Sequence, residues 1–179
     1  MENNYNKVID FWFHEIDQSF WWKKDLSFDA KISKRFGDWH EAAKKCELSH
    51  WRKVSLGALS EIIILDQFSR NMFRGRPEAF AQDPMALALS QVAIEKGQDK
   101  EVDTAMRSFF YMPFMHSESK EIHRQAIILF QKAPANLGFE KKHQDIIERF
   151  GRYPHRNEIL GRKSTQEEID FLKQPGSSF

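Results

Sequence analysis

Residues 56–76, LGALSEIIILDQFSRNMFRGR, constrain the fold of this chain more than any other stretch. The most apolar run of the sequence, Ile62, Ile63, Ile64 and Leu65, is joined there to a dense polar string of Asp66, Gln67, Arg70, Asn71, Arg74 and Arg76. A helix that is apolar on every side has to be enclosed by other helices. Residues 56–68 are therefore expected to form a central buried helix, ending near Gly75 and Pro77, that delivers the polar string to the edge of the core. At helical spacing Asp66 and Arg70 share one strip with Arg74 following, and Gln67 and Asn71 occupy the neighbouring strip.

Other segments repeat the 3.6-residue period between short punctuated gaps, and none alternates as a strand does. The fold class is all-α. Helices are expected over 5–15, over 28–45 capped by Ser27, and over 84–96 after an Asp83 N-cap and Pro84, with Gly97 closing the last. Ser55 is placed at the start of the central helix. Asp103 opens a helix that Pro113 is expected to stop or kink. Ser117 is read as the cap of 118–132, and 139–151 follows. Ser164 or Thr165 with Glu167 or Glu168 makes a capping box for a short last helix. No Gly, Ser or Pro linker divides the chain, so its 179 residues read as a single domain with a frayed tail over 174–179.

With 27 basic and 26 acidic side chains, a formal net charge of +1 provides no bulk field for nucleic acid or an anionic membrane. A single cysteine, Cys46, excludes an internal disulfide and fits a reducing compartment, so the chain is expected to be cytoplasmic. No signal-peptide pattern opens it, and no apolar run approaches the roughly 20 residues that span a bilayer. Seven histidines show no HxxxH or HExxH spacing, and neither a metal nor a cofactor is implied. Of these, His40, His50 and His123 are placed on solvated helix edges.

Arginine and lysine are segregated. Residues 69–76 and 149–162 hold seven of the eleven arginines and none of the sixteen lysines. Lysine suits solvated faces, whereas the flat guanidinium fork suits fixed, partly buried pairing with carboxylate or phosphate. An internal echo links the two stretches: Gln67-Phe68-Ser69-Arg70 and Arg149-Phe150-Gly151-Arg152 suggest two helix ends with similar roles. Seven arginines face three nearby carboxylates, Asp66, Asp145 and Glu148, so positive charge is left for an anionic ligand. The expected site gathers Asp66, Gln67, Arg70, Asn71, Arg74, Glu118, Arg149, Arg152, Arg156 and Asn157 as ligand-binding groups, with His116 and His155 moving protons. Trp21, Trp22, Phe73 and Tyr153 are reserved as walls of a cleft. Within MPFMHSE, His116, Ser117 and Glu118 have the residue types of a triad, but adjacency in sequence is not convergence in space.

DQFSRNMFRG, MPFMHSE and RFGRYPHRNEILGRKST occur together in one chain. On these motifs it resembles, from Val8 to Leu172, a bacterial family known as domain of unknown function 924. The resemblance implies an all-helical, TPR-like superhelical fold and supplies no activity, cofactor or catalytic residue. Family members commonly carry proline at the position of Ser69, which implies a less rigid turn after Phe68 here. Two functional readings follow. One is a protein that holds a small anionic ligand in an Arg/His/Asn/Asp-lined pocket, with the residue pattern of a hydrolase or transferase. The other is a helical module for a peptide or protein partner, with the arginine clusters as structural struts. No pattern specifies an oligomeric state.

Overall fold

The computed structural model describes residues 4–177, which form eight helices joined by short 3-10 turns, with no strand among them. The central helix is α3, residues 55–72, preceded by α1 (6–15) and α2 (Leu26–Lys44). Then come α4 (Asp83–Glu95), α5 (Thr104–Met115), α6 (Lys120–Phe130), α7 (Leu137–Phe150) and α8 (Gln166–Leu172). Helices α1, α2, α4 and α5 all pack on α3, and α4 packs on α5, α5 on α6 and α6 on α7. No helix of the described residues is long and apolar enough to cross a membrane.

The enclosure expected for residues 56–68 is complete: Ile62, Ile63, Ile64, Leu65 and Phe68 are buried. Phe68 sits in a nest of rings, 4.9 Å from Phe36, 5.4 Å from Trp12 and 6.1 Å from Phe11. Glu61, the carboxylate that precedes the apolar run 62–65, is fully buried and is met by the Arg52 fork at 2.6 and 2.7 Å. Gly57 is dictated by packing, since a Cβ there would lie 2.2 Å from the Trp51 carbonyl oxygen.

Helix α3 is not uniform. Its α-helical Ser55–Ile63 segment widens into a π turn over Ile64–Phe68 and tightens again over Ser69–Met72. The expected turn after Phe68 is therefore absent. Ser69 is buried within the continuing helix, its hydroxyl donating to the Leu65 carbonyl at 2.6 Å and lying 2.8 Å from His40 Nε2. The echo between residues 67–70 and 149–152 consequently joins unlike places, a helix interior and the end of α7, where Gly151 takes φ +69°.

Several helix starts also differ from expectation. Asp25, not Ser27, caps α2, its carboxylate accepting from the Ser27 and Phe28 amides at 2.9 and 3.0 Å. Ser55 opens α3 without capping it, because its hydroxyl turns to Glu101. Asp83 lies inside α4 and its carboxylate is committed elsewhere. Ser119, not Ser117, caps α6. Pro113 falls in the last turn of α5, which runs on to Met115 without the one bond that a proline cannot donate. Asp103 and the Thr165–Glu168 capping box stand where the sequence places them. His40 and His123 are buried, not solvated.

Candidate functional site

The π turn of α3 opens onto a cavity of about 660 Å³. An extra residue in one helical turn shifts the register of everything after it, and such bulges recur where side chains must be aimed at a site. Gln67, Arg70 and Asn71 line the cavity from α3, Arg74 from the turn after it, and His116 from the end of α5. The 3-10 turn Pro154–Arg156 contributes His155 and Arg156, next to Tyr153. Trp21, Trp22, Lys23 and Lys24 form another side, faced by Phe139 and His143 of α7.

Asp66 organises the polar floor from behind. Only 1% exposed, it meets His116 Nδ1 at 2.6 Å and Arg70 Nη1 at 3.2 Å, and it accepts from the Gln67 amide. Burial alone would raise its pKa, but Arg70 and His116 outweigh it and hold the carboxyl well below the usual range. His116 moves down: burial and the Arg70 charge outweigh the attraction of Asp66. An ionised carboxylate can only accept, so a neutral His116 presents Nδ1–H to Asp66 and keeps its lone pair on Nε2.

Asp83 draws the two arginine-bearing stretches together. Its carboxylate accepts from Arg70 at 2.8 and 3.0 Å and from Arg156 at 3.1 Å, and Arg156 also donates to the His116 carbonyl at 3.1 Å. The Phe80 ring lies against both guanidiniums, 5.7 Å from Arg70 and 4.5 Å from Arg156. On the far edge of α3, Asp29 of α2 accepts from Asn71 at 2.8 Å and from Arg74 at 2.6 and 2.8 Å.

The expected excess of guanidinium over carboxylate is corrected by these contacts. Each of the seven clustered arginines has a carboxylate partner, and six partners lie outside the local trio once counted against them: Asp29, Glu78, Asp83, Glu118, Glu167 and Glu168. Arg76 pairs with its near neighbour Glu78, while Asp66 does hold Arg70. Glu148 pairs with Lys120 instead. What survives is an asymmetry of placement. Lys23, Lys24, Arg70, Arg74 and Arg156 line the cavity, and no Asp or Glu of the described residues does. Lys23 and Lys24 are exposed, while the carboxylates that pair with Arg70, Arg74 and Arg156 lie outside the lining.

Not every expected site residue comes to this cavity. Arg149 pairs with Glu167 on the surface, and Arg152 holds Glu168 at 2.6 and 2.8 Å, tying α8 to the end of α7. Asn157 donates to the Ser164 hydroxyl at 3.0 Å. Glu118 is bound by Arg162 at 2.6 and 2.9 Å and accepts from the Tyr153 amide at 2.7 Å. These four residues fasten the C-terminal segment. His116, Ser117 and Glu118 do not converge as a triad, because each is held by a different partner. Of the reserved walls, Trp21, Trp22 and Tyr153 line the cavity, whereas Phe73 stacks against His40 away from it. Sequence reasoning missed Lys23, Lys24, Phe80, Phe139 and His143. Only the Trp-Trp-Lys-Lys run carried a visible signal, two large rings next to two cations.

Comparison with curated proteins finds none that matches. Among solved structures the chain is similar to the protein of unknown function ATU0120 from Agrobacterium tumefaciens. The two are 40% identical and superpose with a TM-score of 0.89, over 94% of this chain and 96% of that one. The family described as bacterial protein of unknown function (DUF924) matches residues 8–176, and the chain belongs to that family.

Proposed function

We propose that the cavity binds a small organic anion and that the Asp66–His116 pair acts on it as a general base, which is the chemistry of a hydrolase or transferase. The observation that carries this reading is a cavity lining that includes five cationic residues and no carboxylate, the partners of Arg70, Arg74 and Arg156 lying outside it. In a recess of low dielectric such oriented pairs present a positive potential even where the net charge is near zero. A volume of about 660 Å³ is that of a small-molecule pocket, and a peptide partner would need a longer open groove.

His116 Nε2 then takes a proton from a water or an acceptor hydroxyl, and Asp66 stabilises the imidazolium as it forms. Negative charge developing on the ligand is met by Arg70 and Arg156, already fixed by Asp83 and therefore requiring no reorganisation. A positioned base of this kind contributes roughly 10²- to 10⁴-fold in rate.

Thermal-shift titration with carboxylates and phosphates tests the binding step. A fitting anion at about a hundred times its Kd stabilises the fold by about 2.7 kcal/mol. The shift should shrink in Lys24→Gln and in Arg74→Gln. A panel that leaves the melting temperature unchanged, or a shift indifferent to both substitutions, sinks the reading.

A further inference from the structure

The large hydrophobic side chains left exposed among the described residues include two aromatics, Trp22 at 60% and Phe139 at 54%. They come from distant parts of the chain, the link before α2 and the first turn of α7, yet both line the same cavity. Their rings are parallel to within 12°, with centroids 6.4 Å apart. Trp22 is buttressed by Trp21, which meets it edge-on at 87° and is itself fixed by its indole N–H donating to the Trp12 carbonyl at 3.0 Å and by Phe109 at 4.9 Å.

At that separation the rings fall within the range of a direct aromatic pair, each partly covering the other, yet both stay more than half exposed to water. A planar π system stacks with its carbons about 3.5 Å from each neighbour, so a sandwich needs roughly 7 Å between the outer planes. Near-parallel rings whose centroids are 6.4 Å apart have planes no farther apart than that. A planar ligand therefore enters only as the two exposed side chains rotate apart. Lys24, Arg70 and Arg156 line the same cavity. A saturated chain would fill the space without using the parallel faces, and a neutral ring would leave the cations unused.

Resting on the anion reading above, we infer that the ligand is an aromatic anion, its flat body clamped between Trp22 and Phe139 and its carboxylate or phosphate turned inward to the cations. The clamp sets substrate class by shape, and the cavity floor sets it by charge.

Calorimetric titration of the full chain with three matched probes tests this: 2-naphthoate, its fully saturated decahydro analogue carrying the same carboxylate, and the neutral 2-naphthylmethanol. Each aromatic face contributes roughly two- to tenfold. The expected result is that 2-naphthoate quenches tryptophan fluorescence and binds about tenfold more tightly than either analogue. Trp22→Leu and Phe139→Leu should each erode the preference for the flat acid while leaving the melting temperature in place, since both side chains are largely exposed. Equal binding of the two acids, or a preference that survives both substitutions, overturns the clamp and leaves the anion cavity standing. Equal binding of the acid and the alcohol overturns the anion reading and leaves the clamp. Binding of none of the three overturns both.

Discussion

At the scale of single residues, Asp66 joins the two functional halves of the cavity floor, because one buried carboxylate satisfies an imidazole, a guanidinium and an amide at once. Asp66→Asn keeps the shape and removes the charge, leaving Arg70 to Asp83 alone and His116 without an ionic partner. Removing one member of a buried ion pair costs about 3 kcal/mol, and urea denaturation of the variant should show a loss of that size. The buried histidines set the pH response. Burial holds His143 at about 3, and burial with the nearby Arg156 charge holds His155 at about 4, against an ordinary 6.5. Below pH 6.5 the unfolded chain takes up protons at these sites and the folded chain does not. Their contribution to stability is therefore fully present above that value and is lost as pH falls towards about 4, by up to about 1.4 kcal/mol per pH unit for each histidine. Denaturation midpoints followed through this range should decline steadily, and His143→Gln should flatten the decline.

At the scale of elements, the start of α3 and the whole of α8 show opposite kinds of control. Gly57 is a poor helix former by intrinsic preference, and alanine there is favoured by about 1 kcal/mol in an open helix. Packing reverses the sign: the Trp51 carbonyl occupies the place of the missing Cβ, 2.2 Å away. Overpacking of this kind costs about 1–3 kcal/mol, so thermal melting of Gly57→Ala should be lower than that of the parent, and a rise would show that the turn before α3 yields. Helix α8 has little core of its own. Phe171 packs on Phe150 at 5.0 Å, beside the small separate cluster of Ile146, Ile147 and Tyr153. Its start depends on the Thr165–Glu168 capping box and on Arg152. Thr165→Ala should weaken it by about 1 kcal/mol, read as faster amide exchange confined to residues 166–172, with the cavity unaffected because its lining ends at Ile159. The clustered arginines thus divide by place: Arg70, Arg74 and Arg156 line the cavity, Arg149 and Arg152 fasten α8, Arg162 holds Glu118, and Arg76 pairs with Glu78 at the surface.

At the scale of the molecule, hydrogen exchange should rank the helices by enclosure. Amides of α3 at Ile62, Ile63 and Leu65 should exchange only through global unfolding, since four helices cover them, and those of α8 through local opening. Exchange at Ile63 as fast as in α8 would contradict the central role of α3. That role is legible in the sequence, because an unbroken run from Ile62 to Leu65 has no solvent face to offer and must be enclosed whatever surrounds it. The helical class, the Asp103 cap and the Thr165–Glu168 box are legible for a similar reason: they depend on residues within one or two turns of each other. The convergence of Arg70 with Arg156 was anticipated from the segregation of arginine from lysine, a choice that reflects burial. Which carboxylates hold them was not. Asp83 is 73 positions from Arg156 and Asp29 is 45 from Arg74, and no local count of charges contains such partners. The π turn, the stacking of Trp22 on Phe139 and the acid-free lining of the cavity belong to the same class. Short-range patterning settles which segments are helices and which must be buried; long-range packing alone decides which side chains meet, because the free energy of those meetings comes from groups that adjacency in the chain does not relate.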